Sequence, residues 1–198
     1  MFISFEGTEG VGKTTLIRKI HQYFEQQGKQ VVLTREPGGT PLAEQIRSLL
    51  LAVNHEEQMS HDTELLLIYA ARAQHLQQVI VPALEAGKIV LSDRFTDASF
   101  AYQCAGRGLS QEKLQLLNQT FVSHMPNITF WLDAPIELGM TRARARGALD
   151  RFEQEKATFF EKVKGGYQTL WQRHPERVKR LDATQSPDQV FAQAMHYL

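Results

Sequence analysis

Short continuous apolar runs alternate along the chain with stretches of helical periodicity. The runs are Phe2–Phe5, Val31–Leu33, Ile89–Leu91 and Ile128–Leu132, and each is rich in β-branched or aromatic residues. A strand that is apolar on both faces is typical of the buried part of a parallel sheet, so these four runs predict central strands. The run Val178–Leu181 is polar in its middle, which predicts a fifth strand near the sheet edge. Strands that alternate with helices place the chain in the α/β class.

Start and stop signals bound the predicted helices. The apolar residues after the first strand recur at helical spacing as far as Gly28, and glycine often stands just beyond the end of a helix. A long helical stretch covers about Asp62–Ala86, and Pro82 predicts a kink there or its last turns. Near the C-terminus, Ser186 is followed by a proline and then by Gln189, which predicts a capping box at the start of a final helix.

Composition and charge narrow the class of protein. The chain has 198 residues, of which 42% are hydrophobic and 22% charged; these values are ordinary for a globular protein, and we expect a single domain over residues 1–198. Lys and Arg together number 22, as do Asp and Glu, and a net charge of zero argues against binding of long nucleic acid. Because Cys104 is the one cysteine, no intrachain disulfide can form. No long apolar run occurs, so we expect no membrane partner and a cytoplasmic location.

The sequence GTEGVGKT, from Gly7 to Thr14, fits the phosphate-binding pattern G-x-x-x-x-G-K-[ST] between a predicted strand and a predicted helix. Its glycines let successive backbone N–H groups face a polyphosphate, and the helix N-terminus adds partial positive charge. Lys13 is expected to neutralise the β- and γ-phosphates of a nucleotide, and the Thr14 hydroxyl to bind Mg²⁺. The candidate nucleotide-binding residues are Gly7, Thr8, Glu9, Gly10, Val11, Gly12, Lys13, Thr14 and Thr15.

A phosphate-binding loop also needs a carboxylate near the metal, and two predicted strands end in one. Asp93 precedes Arg94, so this strand end offers a carboxylate for the metal, through water, and a guanidinium for phosphate. Asp133 stands before Pro135, where it is expected to cap a helix. The metal candidates are therefore Thr14 and, through water, Asp93.

Arginines gather at two further places. Arg35 and Arg47 lie after the second predicted strand, at the sheet edge where open α/β sheets bind ligands. Four more fall between residues 142 and 153, where we expect a mobile lid, although a solvated helix face would also carry such charge. Because the variable loop positions contain no Arg or Lys, an arginine for the transition state must come from elsewhere. The candidate catalytic residues are Lys13, Arg94, Arg142, Arg146 and Arg151.

Four segments in order, FEGTEGVGKTT, TREPGGT, DRFTDASFAYQ and RARARGALDRFEQE, closely resemble the thymidylate kinases, and among them the bacterial kind. The likeness extends over nearly the whole chain. It implies transfer of the γ-phosphate of ATP to dTMP with Mg²⁺, a step of dTTP biosynthesis. It also implies the P-loop nucleoside monophosphate kinase fold, a five-stranded parallel sheet flanked by helices on both faces, and a homodimer.

The resemblance further implies roles at the polar end of the acceptor site. Glu9 would approach the acceptor's sugar. Glu36 and Asp93 would order the waters of the metal. Arg47 and Arg94 would hold the 5′-phosphate of dTMP.

At the other end of the acceptor site, the resemblance implies which residues surround the thymine and the sugar. Arg72 would reach a thymine carbonyl, and Ser99 and Gln103 would lie near thymine N3. The ring of Tyr102 would crowd a ribose 2′-hydroxyl. Where the family usually stacks a phenylalanine on the thymine, this chain has Ile68. The substrate-binding candidates are Glu9, Glu36, Arg47, Ile68, Tyr69, Arg72, Arg94, Ser99, Tyr102 and Gln103.

Two other functions compete with this hypothesis. Another small-acceptor kinase on the same scaffold could act on a nucleoside or a different monophosphate. The pair Arg47 and Arg94 favours a phosphorylated acceptor, since a neutral nucleoside would leave two arginines without counter-charge. A nucleotide-dependent switch is the other alternative, but no guanine-binding N-K-x-D sequence occurs in the chain.

Overall fold

The computed structural model describes residues 1–53, 56–145 and 150–198. The described residues form a five-stranded parallel sheet with the strand order β2-β3-β1-β4-β5. The strands are Phe2–Glu6 (β1), Val31–Arg35 (β2), Ile89–Asp93 (β3), Ile128–Asp133 (β4) and Val178–Asp182 (β5). The strand number, the parallel pairing and the edge position of β5 are as predicted from the sequence.

Helices connect the strands and cover both faces of the sheet. None of the described helices is both long and apolar enough to cross a lipid bilayer. Two of the connections include π-helical turns, at Leu76–Ile80 and Phe100–Gly106. The α-helices are Lys13–Gln26 (α1), Pro41–Leu51 (α2), His61–His75 (α3), Val81–Glu85 (α4), Thr96–Ser99 (α5), Gln111–Phe121 (α6), Ile136–Arg144 (α7), Ala157–Arg173 (α8) and Pro187–Met195 (α9).

Alternate residues of the strands point into two hydrophobic layers. On one face, Ile3 and Phe5 of β1 pack with the apolar sides of α1 and α9. On the other face, Trp131 of β4 packs against α8, while Phe2 packs with the segment around Leu76. Burial on both faces explains the continuous apolar runs of the central strands.

Strand β2 corrects the expectation that all four apolar runs are central. It lies at the sheet edge, and Leu33 is 50% exposed. An apolar run shows that a segment is extended, but the order of strands depends on the connections between them, which the run does not encode.

The helix signals at both ends of the chain are confirmed. Helix α1 ends at Gln26, and Gly28 has a φ of 71°, a left-handed conformation that glycine adopts without strain. Ser186 and Gln189 form the predicted capping box of α9. The long stretch before β3 is interrupted earlier than expected, because π-helical turns from Leu76 precede Pro82.

The connections place two strand ends side by side at the functional edge. Strands β1 and β3 are neighbours, yet α1 leaves β1 over one face and the helices after β3 pack on the other. Such a switch of direction opens a crevice beyond the carboxyl ends of the strands, where open α/β sheets bind ligands. The loop after Glu6 and the residues Asp93 and Arg94 border this crevice.

Candidate active site

A cavity of about 550 Å³ opens at this edge of the sheet. It brings together most of the residues proposed from the sequence, although their elements lie far apart along the chain. Of the candidate site residues, Gly7, Thr8, Tyr69 and Arg151 do not line it, and Arg146 falls outside the described residues. The candidate residues that line the cavity are Glu9, Gly10, Val11, Gly12, Lys13, Thr14, Thr15, Glu36, Arg47, Ile68, Arg72, Asp93, Arg94, Ser99, Tyr102, Gln103 and Arg142.

The phosphate-binding loop curls around the amine of Lys13. Its Nζ donates to the backbone carbonyls of Gly7, at 3.2 Å, and Thr8, at 3.0 Å. Burial lowers the pKa of Lys13, and the nearby charge of Arg94 lowers it further. Gly7 and Gly12 have φ values of 136° and 100°, which non-glycine residues rarely adopt. The course of the loop backbone around Lys13 therefore depends on these two glycines.

Glycines let this loop touch helix α7. A Cβ on Gly10 would lie 2.1 Å from the carbonyl oxygen of Gly139, and a Cβ on Gly139 would lie 2.3 Å from that of Glu9. The same close approach brings Arg142 of α7 beside the loop and into the lining of the cavity. An arginine from α7 thus stands next to a loop that carries none.

Arg94 lines the cavity and has a strained backbone conformation. Its φ is 71°, in the left-handed region, and the Ser92 hydroxyl donates to its carbonyl at 2.7 Å. The guanidinium donates to the Gly7 carbonyl at 2.9 Å and to the Tyr167 hydroxyl at 3.2 Å, and it pairs with the carboxylate of Glu9. Burial opposes the charge of Arg94, but Glu9 together with Tyr102, Tyr167 and Asp93 outweighs it and raises the pKa of Arg94 well above its ordinary value.

Tyr102 lies against Arg94 at the cavity wall. The Arg94 guanidinium sits 4.9 Å from the centre of the tyrosine ring, and the Tyr102 hydroxyl donates to Glu9 at 3.3 Å. The edges of Phe152 and Phe159 meet the ring at centroid distances of 6.0 Å. The tyrosine ring is therefore held in place from several sides.

A buried ion pair holds Arg72 in the floor of the cavity. Nε of Arg72 donates to Glu36 at 2.7 Å, and Nη2 donates to the Phe95 carbonyl at 3.2 Å and to the Ser99 hydroxyl at 3.0 Å. Nη1 is buried and has no hydrogen-bond partner in the part of the chain described. A buried guanidinium N–H without an acceptor is costly, so this group is suited to an acceptor atom that a ligand supplies.

Both carboxylate oxygens of Glu36 have hydrogen-bond partners within the protein. Oε2 accepts from Arg72, and Oε1 lies 3.1 Å from Nδ1 of His75, whose Nε2 is 2.5 Å from the Thr34 hydroxyl. The role expected for Glu36, ordering the waters of a metal, does not agree with this geometry. Its carboxylate instead fixes the guanidinium of Arg72.

Asp93 and Thr14 are better suited to a metal. Both line the cavity, and the Asp93 carboxylate accepts no hydrogen bond from any described side chain. The described residues contain no cluster of three or more His, Cys, Asp or Glu that could hold a metal alone. Mg²⁺ commonly uses one or two protein groups together with phosphate oxygens and water, so this pair fits it.

Arg47 and Gln103 reach the cavity from two other elements. Nη1 of Arg47 donates to the Pro37 carbonyl at 2.8 Å, and burial, then the charge of Arg35, lower the pKa of Arg47. Nε2 of Gln103 donates to the buried carboxylate of Glu64 at 2.9 Å. Both side chains are thus held in place by hydrogen bonds within the protein.

Ile68 and Tyr69, two neighbouring substrate-binding candidates on α3, differ in their position relative to the cavity. Ile68 lines the cavity, whereas the Tyr69 hydroxyl turns away and donates to Asn118 at 2.7 Å. Tyr69 and Ile68 are neighbours on α3, so their side chains differ by about 100° around the helix. Tyr69 therefore does not line the cavity. Its ring instead packs 4.7 Å from the Arg72 guanidinium, outside the cavity.

Two further residues differ from their sequence-based roles. Arg151 does not face the cavity, because its Nη1 pairs with Glu64 at 2.7 Å and its Nε donates to the Leu50 carbonyl at 2.7 Å. Asp133 does not cap α7, whose N-cap is Pro135. Its carboxylate pairs instead with Arg180, which binds it through Nε at 2.8 Å.

Sequence reasoning missed three buried polar residues beside the cavity. Glu64, His75 and Glu6 are each fully buried. Glu64 and Arg72 stand eight residues apart in α3, and His75 follows three residues later, so a polar stripe at core-facing spacing was present in the sequence as a signal. The partner of Glu6 is Tyr167, 161 residues away, and no local pattern points to it.

Glu6 predicts a pH dependence of stability. Burial, and then repulsion from Asp97, raise its pKa from 4.5 to about 8. Between these two values the folded chain binds a proton that the unfolded chain releases, so Glu6 makes the free energy of unfolding fall as pH rises from about 4.5 to 8. Glu6→Gln is expected to flatten this fall, as measured by urea unfolding across that range.

The matched control for this experiment is Glu161→Gln, an exposed carboxyl on α8. It is expected to leave the pH profile of wild type unchanged. If Glu6→Gln and wild type lose stability in parallel between pH 4.5 and 8, Glu6 is ionised in the folded chain and its raised pKa is wrong.

Comparison with known proteins agrees with this geometry. The family model for thymidylate kinase matches residues 5–194. The chain is 85% identical to a thymidylate kinase of Acinetobacter baumannii strain SDF over the full length of both, and 54% identical to one of Pseudomonas putida strain W619, covering 96% of this chain and 92% of the relative.

A solved structure extends the likeness to three dimensions. The crystal structure of thymidylate kinase from Ehrlichia chaffeensis aligns with a TM-score of 0.79 and 31% identity, covering 99% of this chain and 97% of that one. The sheet and its helices thus have the P-loop nucleoside monophosphate kinase fold expected from the sequence. None of these matches favours a nucleotide switch or a kinase for another acceptor. The chain belongs to the thymidylate kinase family.

Proposed function

We propose that the enzyme transfers the γ-phosphate of ATP to dTMP within the cavity described above, with Mg²⁺ bound at its donor end. The unpartnered Nη1 of Arg72 is the observation that carries the assignment of the acceptor end. A buried donor held by Glu36 and Ser99 fits a carbonyl oxygen such as that of thymine. The thymine would then lie over Ile68, with Gln103 at its N3 edge.

At the donor end, the loop N–H groups and Lys13 bind the phosphates of ATP. The Lys13 amine donates to two loop carbonyls, and a bound polyphosphate would offer it stronger, charged acceptors. Thr14 and Asp93 would hold Mg²⁺, Asp93 through water. When bound, Mg²⁺ neutralises charge that develops on the phosphate oxygens.

The 5′-phosphate of dTMP would bind between the donor loop and α2. Arg94 and Arg47 line this part of the cavity, and two guanidiniums match the charge of a phosphate monoester. Glu9 also contacts Arg94, so it would limit the rotation of this guanidinium and approach the sugar. Phosphoryl transfer asks little covalent chemistry of the protein, and positioning of the two phosphates supplies much of the rate.

The charge on the transferred group would be stabilised by arginines of the segment 142–153. Arg142 is already at the cavity, and Arg146 remains a catalytic candidate of this segment. Arg151 is tied to Glu64 and would support the segment instead of the phosphate. Movement of this segment over the bound nucleotides would exclude water from the reaction.

We also propose that two copies associate through α3 and α6, which an ion pair between Asp62 and Lys113 joins side by side. Large apolar side chains are exposed along this surface. Leu66 of α3 is 58% exposed, and Leu116 of α6 is 64% exposed. An apolar surface of this kind is suited to burial against a second copy.

A comparison of acceptors tests the proposed function. Wild-type enzyme with ATP is expected to form ADP fastest with dTMP, less rapidly with dUMP, and least with UMP, since one methyl group in an apolar pocket is worth about 1–3 kcal/mol. Tyr102→Ala is expected to raise the UMP-to-dTMP ratio of kcat/KM by up to about 100-fold, because the ring that fills the 2′-hydroxyl space is removed.

Tyr102→Phe is the matched control. It keeps the ring between Phe152 and Phe159 and loses only the hydrogen bond to Glu9, so it is expected to exclude UMP as wild type does. Equal use of UMP and dTMP by wild type, or an unchanged ratio in Tyr102→Ala, would overturn the assignment of the sugar position.

A further inference from the structure

A fully buried carboxylate, Glu64 of α3, stands behind the base end of the cavity. Its Oε1 accepts from Gln103 at 2.9 Å, and its two oxygens accept from Arg107 at 3.3 and 3.2 Å. Arg151 completes the set, with Nη1 2.7 Å from Oε2. Burial opposes ionisation of Glu64, but the hydrogen bond from Gln103 and the two arginines outweigh it and lower its pKa.

The contact with Glu64 determines which way the Gln103 amide points. A carboxylate only accepts hydrogen bonds, so it holds the NH₂ group of Gln103 and leaves the amide oxygen for the cavity that this residue lines. An amide oxygen at that position accepts from a ring N–H. It therefore suits the protonated N3 of thymine or uracil and opposes the lone pair on N3 of cytosine.

The other side of Glu64 holds the segment 150–155. Arg151 lies on the carboxylate and stacks 4.5 Å from the ring of Phe152, which itself lines the cavity. Arg107, held by Glu64, pairs with Glu155 at the end of the same segment. The buried carboxylate of Glu64 therefore contacts both Gln103, at the base end of the cavity, and Arg151, in the segment 150–155.

We propose that Glu64 is a positioning residue that couples docking of segment 150–155 to selection of the acceptor base. Its carboxylate orients the Gln103 amide toward an N3–H and gives Arg151 its anchor. This inference rests on the proposed function, because it concerns the same acceptor site. The coupling is reciprocal: an acceptor that engages Gln103 steadies Arg151, and a docked Arg151 steadies Gln103.

The test compares dCMP with dTMP as acceptors. Glu64→Gln keeps the shape but replaces an acceptor oxygen by an NH₂ group, so the Gln103 amide is free to turn over. The dCMP-to-dTMP ratio of kcat/KM is expected to rise about tenfold, the equivalent of one hydrogen bond to a charged group. A purely structural role would lower kcat/KM for both acceptors alike and leave the ratio unchanged, which would overturn the proposal.

Arg151→Met is a second variant for the case that Glu64→Gln folds poorly. The Arg151 side chain is partly exposed, and its removal leaves the ion pair between Arg107 and Glu64 in place. It is expected to raise the same ratio by a smaller factor. Glu161→Gln, which makes the same change at an exposed carboxylate of α8, is the matched control and should leave the ratio at the wild-type value. An unchanged ratio in Arg151→Met would show that the segment and the base are not coupled.

A binding experiment gives a readout besides turnover. Saturating dTMP is expected to slow tryptic cleavage after Arg151 in wild type, but not in Glu64→Gln that has been shown to bind dTMP. Equal protection in both would contradict the coupling. Failure of wild type to phosphorylate dTMP would refute the proposed function instead, so the two failures are distinguishable.

Discussion

Lys13→Ala is expected to lower kcat by at least about 10³-fold while the chain remains folded. The amine of Lys13 is buried within the loop and contacts only backbone carbonyls of Gly7 and Thr8, so its removal leaves the hydrophobic layers of the sheet intact. Loss of one preorganised charge at a transferring phosphoryl group has effects of this order. Turnover with saturating ATP and dTMP, together with far-UV circular dichroism, measures both quantities.

The control for this variant lies on the same helix. Lys19→Ala removes an exposed pair with Asp188 and is expected to retain wild-type turnover, since exposed ion pairs contribute little. If Lys13→Ala remained active at saturating substrates, the phosphate-binding role of the loop would have to be abandoned.

Arg94→Ala is expected to have the second large effect, on the acceptor. Truncating a buried charge at a charged ligand costs about 2–5 kcal/mol, which corresponds to a loss of roughly 30- to several-thousand-fold in kcat/KM for dTMP. The removal also leaves the Glu9 carboxylate without its partner. Steady-state kinetics with varied dTMP at saturating ATP measure the loss.

Arg94→Lys separates charge from geometry. It keeps a positive charge but loses the hydrogen bonds that Nη1 donates to the Gly7 carbonyl and the Tyr167 hydroxyl, so kcat/KM for dTMP is expected between those of wild type and Arg94→Ala. Arg173→Ala removes an exposed arginine of α8 and is the control, with wild-type kcat/KM for dTMP expected. If Arg94→Ala has the same kcat/KM for dTMP as wild type, Arg94 does not bind the acceptor and serves only to hold the loop after β1.

The sequence contains the donor end of the site almost completely, because its geometry is local. A strand, eight loop residues and the start of α1 are consecutive, so their types determine the loop that holds Lys13. Asp93 and Arg94 could be added because they follow a strand, and the carboxyl ends of parallel strands share one edge. The carboxyl ends lie at this edge whatever the order of the strands in the sheet.

The acceptor end was less accessible because its contacts depend on packing between distant elements. Helical spacing alone does not separate Ile68 from Tyr69, since they stand four and three residues before Arg72 and both share a face with it. The occupation of Glu36 by Arg72 and His75 depends on how α3 sits on β2. Nothing local in the sequence predicts that packing, and the role of ordering metal waters follows for Glu36 from the resemblance alone.

The backbone contact between Gly10 and Gly139 sets how close α7 stands to the loop. A Cβ at either glycine would lie within 2.3 Å of a backbone oxygen of the other segment, so any larger residue would push α7 away from the loop. Arg142, one turn beyond this contact, would move away with α7. Two positions without side chains therefore decide whether an arginine of α7 reaches the cavity.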